Sequence, residues 1–261
     1  MFPVTATVLA ITAVVYLRGW SRLWSASLLG IRAWHAGSFL FGLFAVWLAL
    51  ASRIAAYDHH SLTVHMIQHL LLMSIAAPLI LLGQPLIVLA NGVSSRFVDG
   101  EVRRPRRRRM QELGAALVAP VWCWIAATAA LVVWHVPAVM TLTLQSDVWH
   151  AVATTSFIVT GLLFWWPVVQ PWPSVPAPQW SMVVYLFLAM LPCDILSAFL
   201  VFSERIAYSV YLSMPGHTSL SVLDDQEIAG ALMWTVVTLV YLTAGTILAT
   251  RLLSPRALEA V

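Results

Sequence analysis

Seven apolar stretches, at residues 2–17, 31–52, 64–90, 113–134, 148–166, 181–202 and 228–252, dominate the sequence. Most are close to the ~20 residues that an α-helix needs to cross a bilayer. None alternates polar with apolar residues as a membrane β-strand would. In lipid a chain must satisfy its backbone polar groups internally, so stretches of this length fold as helices. Composition agrees: 61% of the residues are hydrophobic and 10% charged, whereas a soluble domain carries about 25% charged residues. Such a chain cannot cover a water-facing surface, which excludes a soluble globular protein and a disordered one. Thirteen Trp and fourteen Pro fit interfacial anchors and kinked helices. The expectation is an all-α polytopic membrane bundle, one seven-helix domain over residues 1–261, with no internal repeat and no soluble appendage.

The first stretch lacks a basic leader and is followed by Arg18 and Arg22 instead of a small-residue cleavage site, so it reads as a retained helix and not a signal peptide. The third is too long for one straight crossing. Pro78 and Pro85 predict a kink there, or a helix that ends before residue 85. Arginine sets the orientation. With the N-terminus outside and the C-terminus cytoplasmic, twelve of the fourteen Arg fall inside and only Arg53 and Arg205 face out. The run Arg103–Arg109, broken only by Pro105, reads either as an anchor for a cytoplasmic loop or as a surface for nucleic acid or anionic lipid. The loop is short and no aromatic residues interleave the run, which favours the anchor and no nucleic-acid partner.

In that topology His35 lies near the cytoplasmic start of the second span. His59, His60, His65, His69, His135, His150 and His217 all fall at the opposite face, with Asp58, Asp147, Asp224, Asp225 and Glu227. His65 and His69 are one helical turn apart, about 6 Å along the axis and on one face, a workable pair for copper, zinc or iron. Met66 stands where a zinc protease would carry Glu, and neither GxSxG nor a Ser-His-Asp spacing occurs, so a hydrolase is not expected. His135, in Trp134-His135-Val136-Pro137, closes the fourth span, and His150 opens the fifth at the same depth. Four imidazoles from three helices read either as a metal site or as groups hydrogen-bonded to carbonyls and water. Met66, Met73, Met140 and Met214 lie on the same half. Their thioethers would favour Cu(I), though methionine also serves as packing.

Asp194 is the one acid well inside a span, where an ionised carboxylate costs about 2.5–3.5 kcal/mol. It reads as a metal ligand, a proton carrier or an interhelical hydrogen-bond partner. Cys123 and Cys193 both lie in apolar runs with no CxxC, which excludes a disulfide scaffold and a zinc ribbon.

Several segments, in order along nearly the whole chain, resemble the CtaG family of membrane assembly factors for caa-type cytochrome c oxidase. They are Tyr16-Leu17-Arg18-Gly19-Trp20, the run His65–Met73, Gly83-Gln84-Pro85-Leu86, Trp134-His135-Val136-Pro137, His150 with Phe164-Trp165-Trp166-Pro167, Asp194-Ile195-Leu196 and Asp225-Gln226 leading to Met233-Trp234. The resemblance implies a seven-helix protein of the bacterial plasma membrane that assists copper delivery or insertion at the extracytoplasmic face. It is not an enzyme, and its partners are oxidase subunits or other copper chaperones. The family residues that map here are His65, His69, His135, His150, Asp194 and Asp225, of which all but Asp225 form the candidate metal set. Family members often carry a Glu-His pair one turn beyond His150; Ala153 and Thr154 stand there, which implies a reduced ligand set. Two alternatives belong to other classes. One is a haem-binding subunit with axial His from two helices; the other is a structural subunit docked on the oxidase.

Overall fold

A computed structural model describes residues 2–25, 30–52, 57, 59–93, 118–169, 179–213 and 220–253. Arg53, Asp58, Arg96, the Arg103–Arg109 run, Met214, His217 and Arg256 lie outside the described residues. Among the described residues there is no strand. The helices are α1 (Phe2–Ser25), α2 (Ala33–Ala51), α3 (Leu62–Leu82), α4 (Pro85–Val93), α5 (Pro120–Trp134), α6 (Pro137–Gln145), α7 (Asp147–Val169), α8 (Gln179–Phe202) and α9 (Val222–Leu252). Six are long and apolar enough to cross a membrane, and α5 with α6 makes a seventh only as a pair bent by 77°. Large apolar side chains such as Phe41, Trp122, Phe187, Ile195 and Leu239 remain exposed on the bundle surface, as lipid contact requires.

Two prolines explain the two irregular spans. Pro78 has no N–H and its ring collides with the carbonyl of residue 74, so the helix before it cannot stay regular. In α3 the backbone opens into a π turn at Leu71–Ala76, which inserts one residue and absorbs the misfit. The Met73 carbonyl accepts a hydrogen bond from the Trp165 indole of α7 at 2.8 Å. Pro137 acts one step earlier. The α region is disfavoured for the residue before a proline, and Val136 is extended at φ −66°, ψ 127°. His135 therefore ends α5, and α6 leaves at a steep angle.

Helix ends depart from the sequence expectation for local reasons. The first helix runs to Ser25, so Arg18 and Arg22 are on it and not in a following loop; Arg22 donates to the Asn91 carbonyl of α4 at 2.6 Å. The third span stops at Leu82, before residue 85 as expected. Gln84 takes a left-handed φ of 53°, and α4 runs back against α1. Tyr16 of α1 seals that reversal by donating to the Gly83 carbonyl at 2.6 Å. The last helix starts at Val222, six residues before the expected 228. Ser221 and Asp224 form a reciprocal capping box there, which satisfies the free N–H groups of its first turn.

The central helix is α3, the most buried span, packed by α2, α7 and α9. At the edge, α1 and α4 approach almost backbone to backbone: a Cβ on Gly19 would strike the Val88 carbonyl oxygen, and one on Gly92 the Val15 carbonyl oxygen. Gly37 and Gly245 face open space. We expect Gly92→Ala to cost about 1–3 kcal/mol through overpacking. Gly37→Ala and Gly245→Ala should be neutral or stabilising by about 0.5–1 kcal/mol, since each removes a helix-interior glycine. Thermal unfolding in detergent micelles checks the pair, and equal midpoints for all three would contradict this packing.

Candidate functional site

Every helix begins with N–H groups that have no intrahelical partner. At the start of α3 they meet a carboxylate from the far end of the sequence. Asp225 of α9 is buried. It receives the Ser61 hydroxyl at 2.9 Å and the N–H groups of Leu62 and Thr63 at 2.6 and 3.3 Å. The Thr63 hydroxyl donates to the Asp225 carbonyl at 3.1 Å. A negative charge at a helix N-terminus is also favoured by the helix dipole. Its neighbour Gln226 holds the other side: it accepts from Ala207 N–H at 2.7 Å and donates to the Leu200 and Arg205 carbonyls, both at 3.3 Å. Gln68 ties α3 to the end of α2 by donating to the Ala49 carbonyl at 2.9 Å. The first two turns of α3 are thus fixed to α9 through Asp225 and to α2 through Gln68.

These turns carry His65 and His69, whose rings stand edge to face at 4.2 Å between centroids. His135 joins them from the end of α5, 5.9 Å from His69. All three are buried, and Phe157 of α7 packs 4.0 Å from His69 and 6.5 Å from His135. The Nδ1 atoms of His65 and His69 have no hydrogen-bond partner. His135 is held differently. Its Nδ1 bonds the Leu131 carbonyl at 2.6 Å, and the Tyr208 hydroxyl donates to its own carbonyl at 3.0 Å. A carbonyl only accepts, so Nδ1 carries the proton, and Nε2 of the neutral ring is left bare. That bare nitrogen faces the Met66 sulfur at 3.4 Å, so two lone-pair donors meet with no proton between them.

A second imidazole pair lies beside the first group. The ring of His150, at the start of α7, is 5.3 Å from that of His59, between α2 and α3. His59 also bonds the Leu144 carbonyl at 3.2 Å, and His65 is within electrostatic range of His59, His135 and His150. Four expected histidines thus gather at one end of the bundle, with His59 added to them. His35 is elsewhere, stacked on Trp34 and bonded through Nδ1 to Arg32 N–H at 3.0 Å. Ala153 and Thr154 are both buried one turn beyond His150, and the Thr154 hydroxyl is spent on the His150 carbonyl at 2.8 Å.

Asp194 of α8 is half-buried, and its buried Oδ1 has no hydrogen-bond partner. Adjacent helix positions point about 100° apart, and it is Cys193 that turns inward. Below the imidazoles lies a cavity of about 60 Å³, lined by His69, His135, Met66, Met73, Met233 and Cys193 among apolar groups. Among the described residues no three of His, Cys, Asp and Glu are placed so that they could hold a metal ion by themselves. The thioethers of Met66, Met73 and Met233 are the further soft donors in this lining. The sequence signal for them was Met66 and Met73 flanking His69 at helical spacing, on one face with it.

A sequence model of the family described as cytochrome c oxidase caa3 assembly factor (Caa3_CtaG) matches residues 14–254. No curated protein and no solved structure gives a match to the chain.

The geometry gives a direct expectation for Asp225. Replacement by Ala leaves the Leu62 and Thr63 N–H groups and the Ser61 hydroxyl without their acceptor, at a cost of about 1.5–3 kcal/mol for hydrogen bonds to a charged group. Asp225→Asn keeps one acceptor oxygen and should lose less. Circular-dichroism melts of the two variants test the ranking, and an unchanged midpoint for Asp225→Ala would remove its role as the α3 cap.

Proposed function

This chain belongs to the cytochrome c oxidase caa3 assembly factor family, and from that premise we propose that it carries copper as cargo during maturation of the oxidase. It does so without catalysing a reaction, as a multi-pass protein of the bacterial plasma membrane. It takes up the ion at the extracytoplasmic face and passes it to an oxidase subunit or another copper chaperone. The observation that carries the reading is the pair formed by His135 Nε2 and Met66 Sδ, 3.4 Å apart, with Nδ1 of the same ring engaged by the Leu131 carbonyl. With metal–nitrogen and metal–sulfur bonds of ~2.0 and ~2.3 Å, a separation of this size corresponds to a ligand angle of about 100°. An imidazole with a thioether suits Cu(I) better than zinc or magnesium. His65 and His69 stand alongside as the next donors.

Support for the face comes from charge. In the topology read from the sequence, twelve of the fourteen Arg lie on one side of the spans and His65, His69, His135 and His150 towards the other, which the positive-inside rule reads as imidazoles outside. Release follows from the same geometry. An ion with His135 and Met66 as firm ligands, and His65 and His69 alongside as exchangeable donors with no carboxylate, can be handed on from donor to donor.

Metal analysis and an optical spectrum on protein loaded anaerobically with Cu(I) test the proposal. Wild type should hold stoichiometric copper. His135→Ala and the double variant His65→Ala/His69→Ala should lose most of it, Asp194→Asn should not, and oxidase activity in membranes should fall with the copper. Thr154→His, on the stripe of α7 that carries His150 and Phe157, should add a donor and tighten retention by about tenfold, or ~1.4 kcal/mol. No copper in any sample would overturn the reading, and a Soret band in place of copper would replace it with haem ligation.

A further inference from the structure

The cavity beneath the imidazoles has a composition that packing does not explain. Methionine ordinarily fills core gaps because it is flexible. Here three of the six described methionines, Met66, Met73 and Met233, border the cavity. Cys193 borders it too, and Met66, Cys193 and Met233 belong to one packed cluster. His69, buried with its Nδ1 unpartnered, opens onto the same space. The sulfur atoms come from three helices that the Asp225 cap and the α8–α9 packing hold in register: α3, α8 and α9.

Charge narrows what such a chamber can take. An unpaired cation is costly to bury, and no Asp or Glu lines the cavity. Thiolate is the soft anion available there, from Cys193. A divalent ion would keep an uncompensated charge beside it, whereas a monovalent one would be neutralised. Soft thiolate and thioether donors select Cu(I) among biological metals.

We propose that this cavity is a second, interior holding site for Cu(I), with Cys193 as the anionic ligand and Met66 and Met233 as the thioether ligands. Copper enters from the imidazole cluster through Met66, which faces His135 Nε2 on one side and lines the chamber on the other. The step is a ligand exchange. The copper–nitrogen bond to His135 breaks as the copper–sulfur bond to Cys193 forms, the thiol proton passes to the freed His135 Nε2 that lines the same cavity, copper stays monovalent and no electron moves. The site rests on the copper-handling reading and deepens it. The imidazoles are the port, and the sulfur chamber is where the ion waits, shielded from water and oxidant.

X-ray absorption at the copper edge, on purified full-length protein loaded with one equivalent of Cu(I) without oxygen, tests this. The expected spectrum has a sulfur shell at about 2.3 Å, by analogy with metal–thiolate bonds, with two or more sulfurs per copper. Cys193→Ser should lower the sulfur count and weaken Cu(I) retention against a competing chelator by about tenfold. Met233→Leu, which keeps volume and needs no new hydrogen bond, should lower the count by one. Cys123→Ser, at the other buried thiol and away from the chamber, should change neither. Copper bound with nitrogen and a single sulfur in wild type, unaltered by Cys193→Ser, would overturn the interior site and leave the His135–Met66 port standing. Protein that takes up no copper at all would remove both.

Discussion

A single carboxylate, that of Asp225, decides how the two most important helices meet. Buried carboxylates are costly in a membrane protein, and so are the unpaired N–H groups at a buried helix start. Set against each other, the two costs cancel. The consequence is positional: with the N-terminus of α3 clamped to the fourth residue of α9, the depth of every side chain on both helices is fixed. His65, His69 and Met73 descend one wall while Met233 and Tyr241 descend the other. The chamber and its port exist because that one contact sets the relative height of α3 and α9.

The other determinant is proline, used in two ways. Pro78 perturbs α3 without ending it, and the π turn keeps the helix continuous while shifting its faces. Pro137 ends α5 outright and leaves His135 at the break, with its backbone carbonyl held by Tyr208. The freed helix end explains how an imidazole from a third helix reaches the α3 pair. A straight continuation of α5 would have kept residue 135 inside a helix wall. The bond from Nδ1 to Leu131 then selects the tautomer, so backbone geometry ends by choosing which nitrogen faces the sulfur of Met66.

Much of this was legible in the sequence, and the limits have physical causes. Spans are one-dimensional signals, so hydropathy located the helices, and Pro85 correctly marked where the third could not continue. Ends were harder because their caps are supplied from elsewhere: nothing near residue 62 announces that Asp225, more than 160 positions away, will cap it. The histidines were found as a group because depth along a span can be counted from the sequence. Rotation about a helix axis cannot be counted in the same way when every face is apolar. That is why Asp194 drew attention while its neighbour Cys193 is the residue that lines the cavity.

The π turn at Leu71–Ala76 carries a consequence for how such a chain can vary over evolutionary time. It holds one residue more than an α-helical path of the same length. Losing that residue would rotate the His65–His69 turn by about 100° relative to everything below Ala77. The two halves of α3 are therefore inherited as phased segments. Point changes within either half are local events, but a one-residue deletion between them is a change of phase that no single substitution repairs. Lineages that keep both the imidazole end and the Trp165-anchored lower half must also keep the count of residues between them, whatever those residues are.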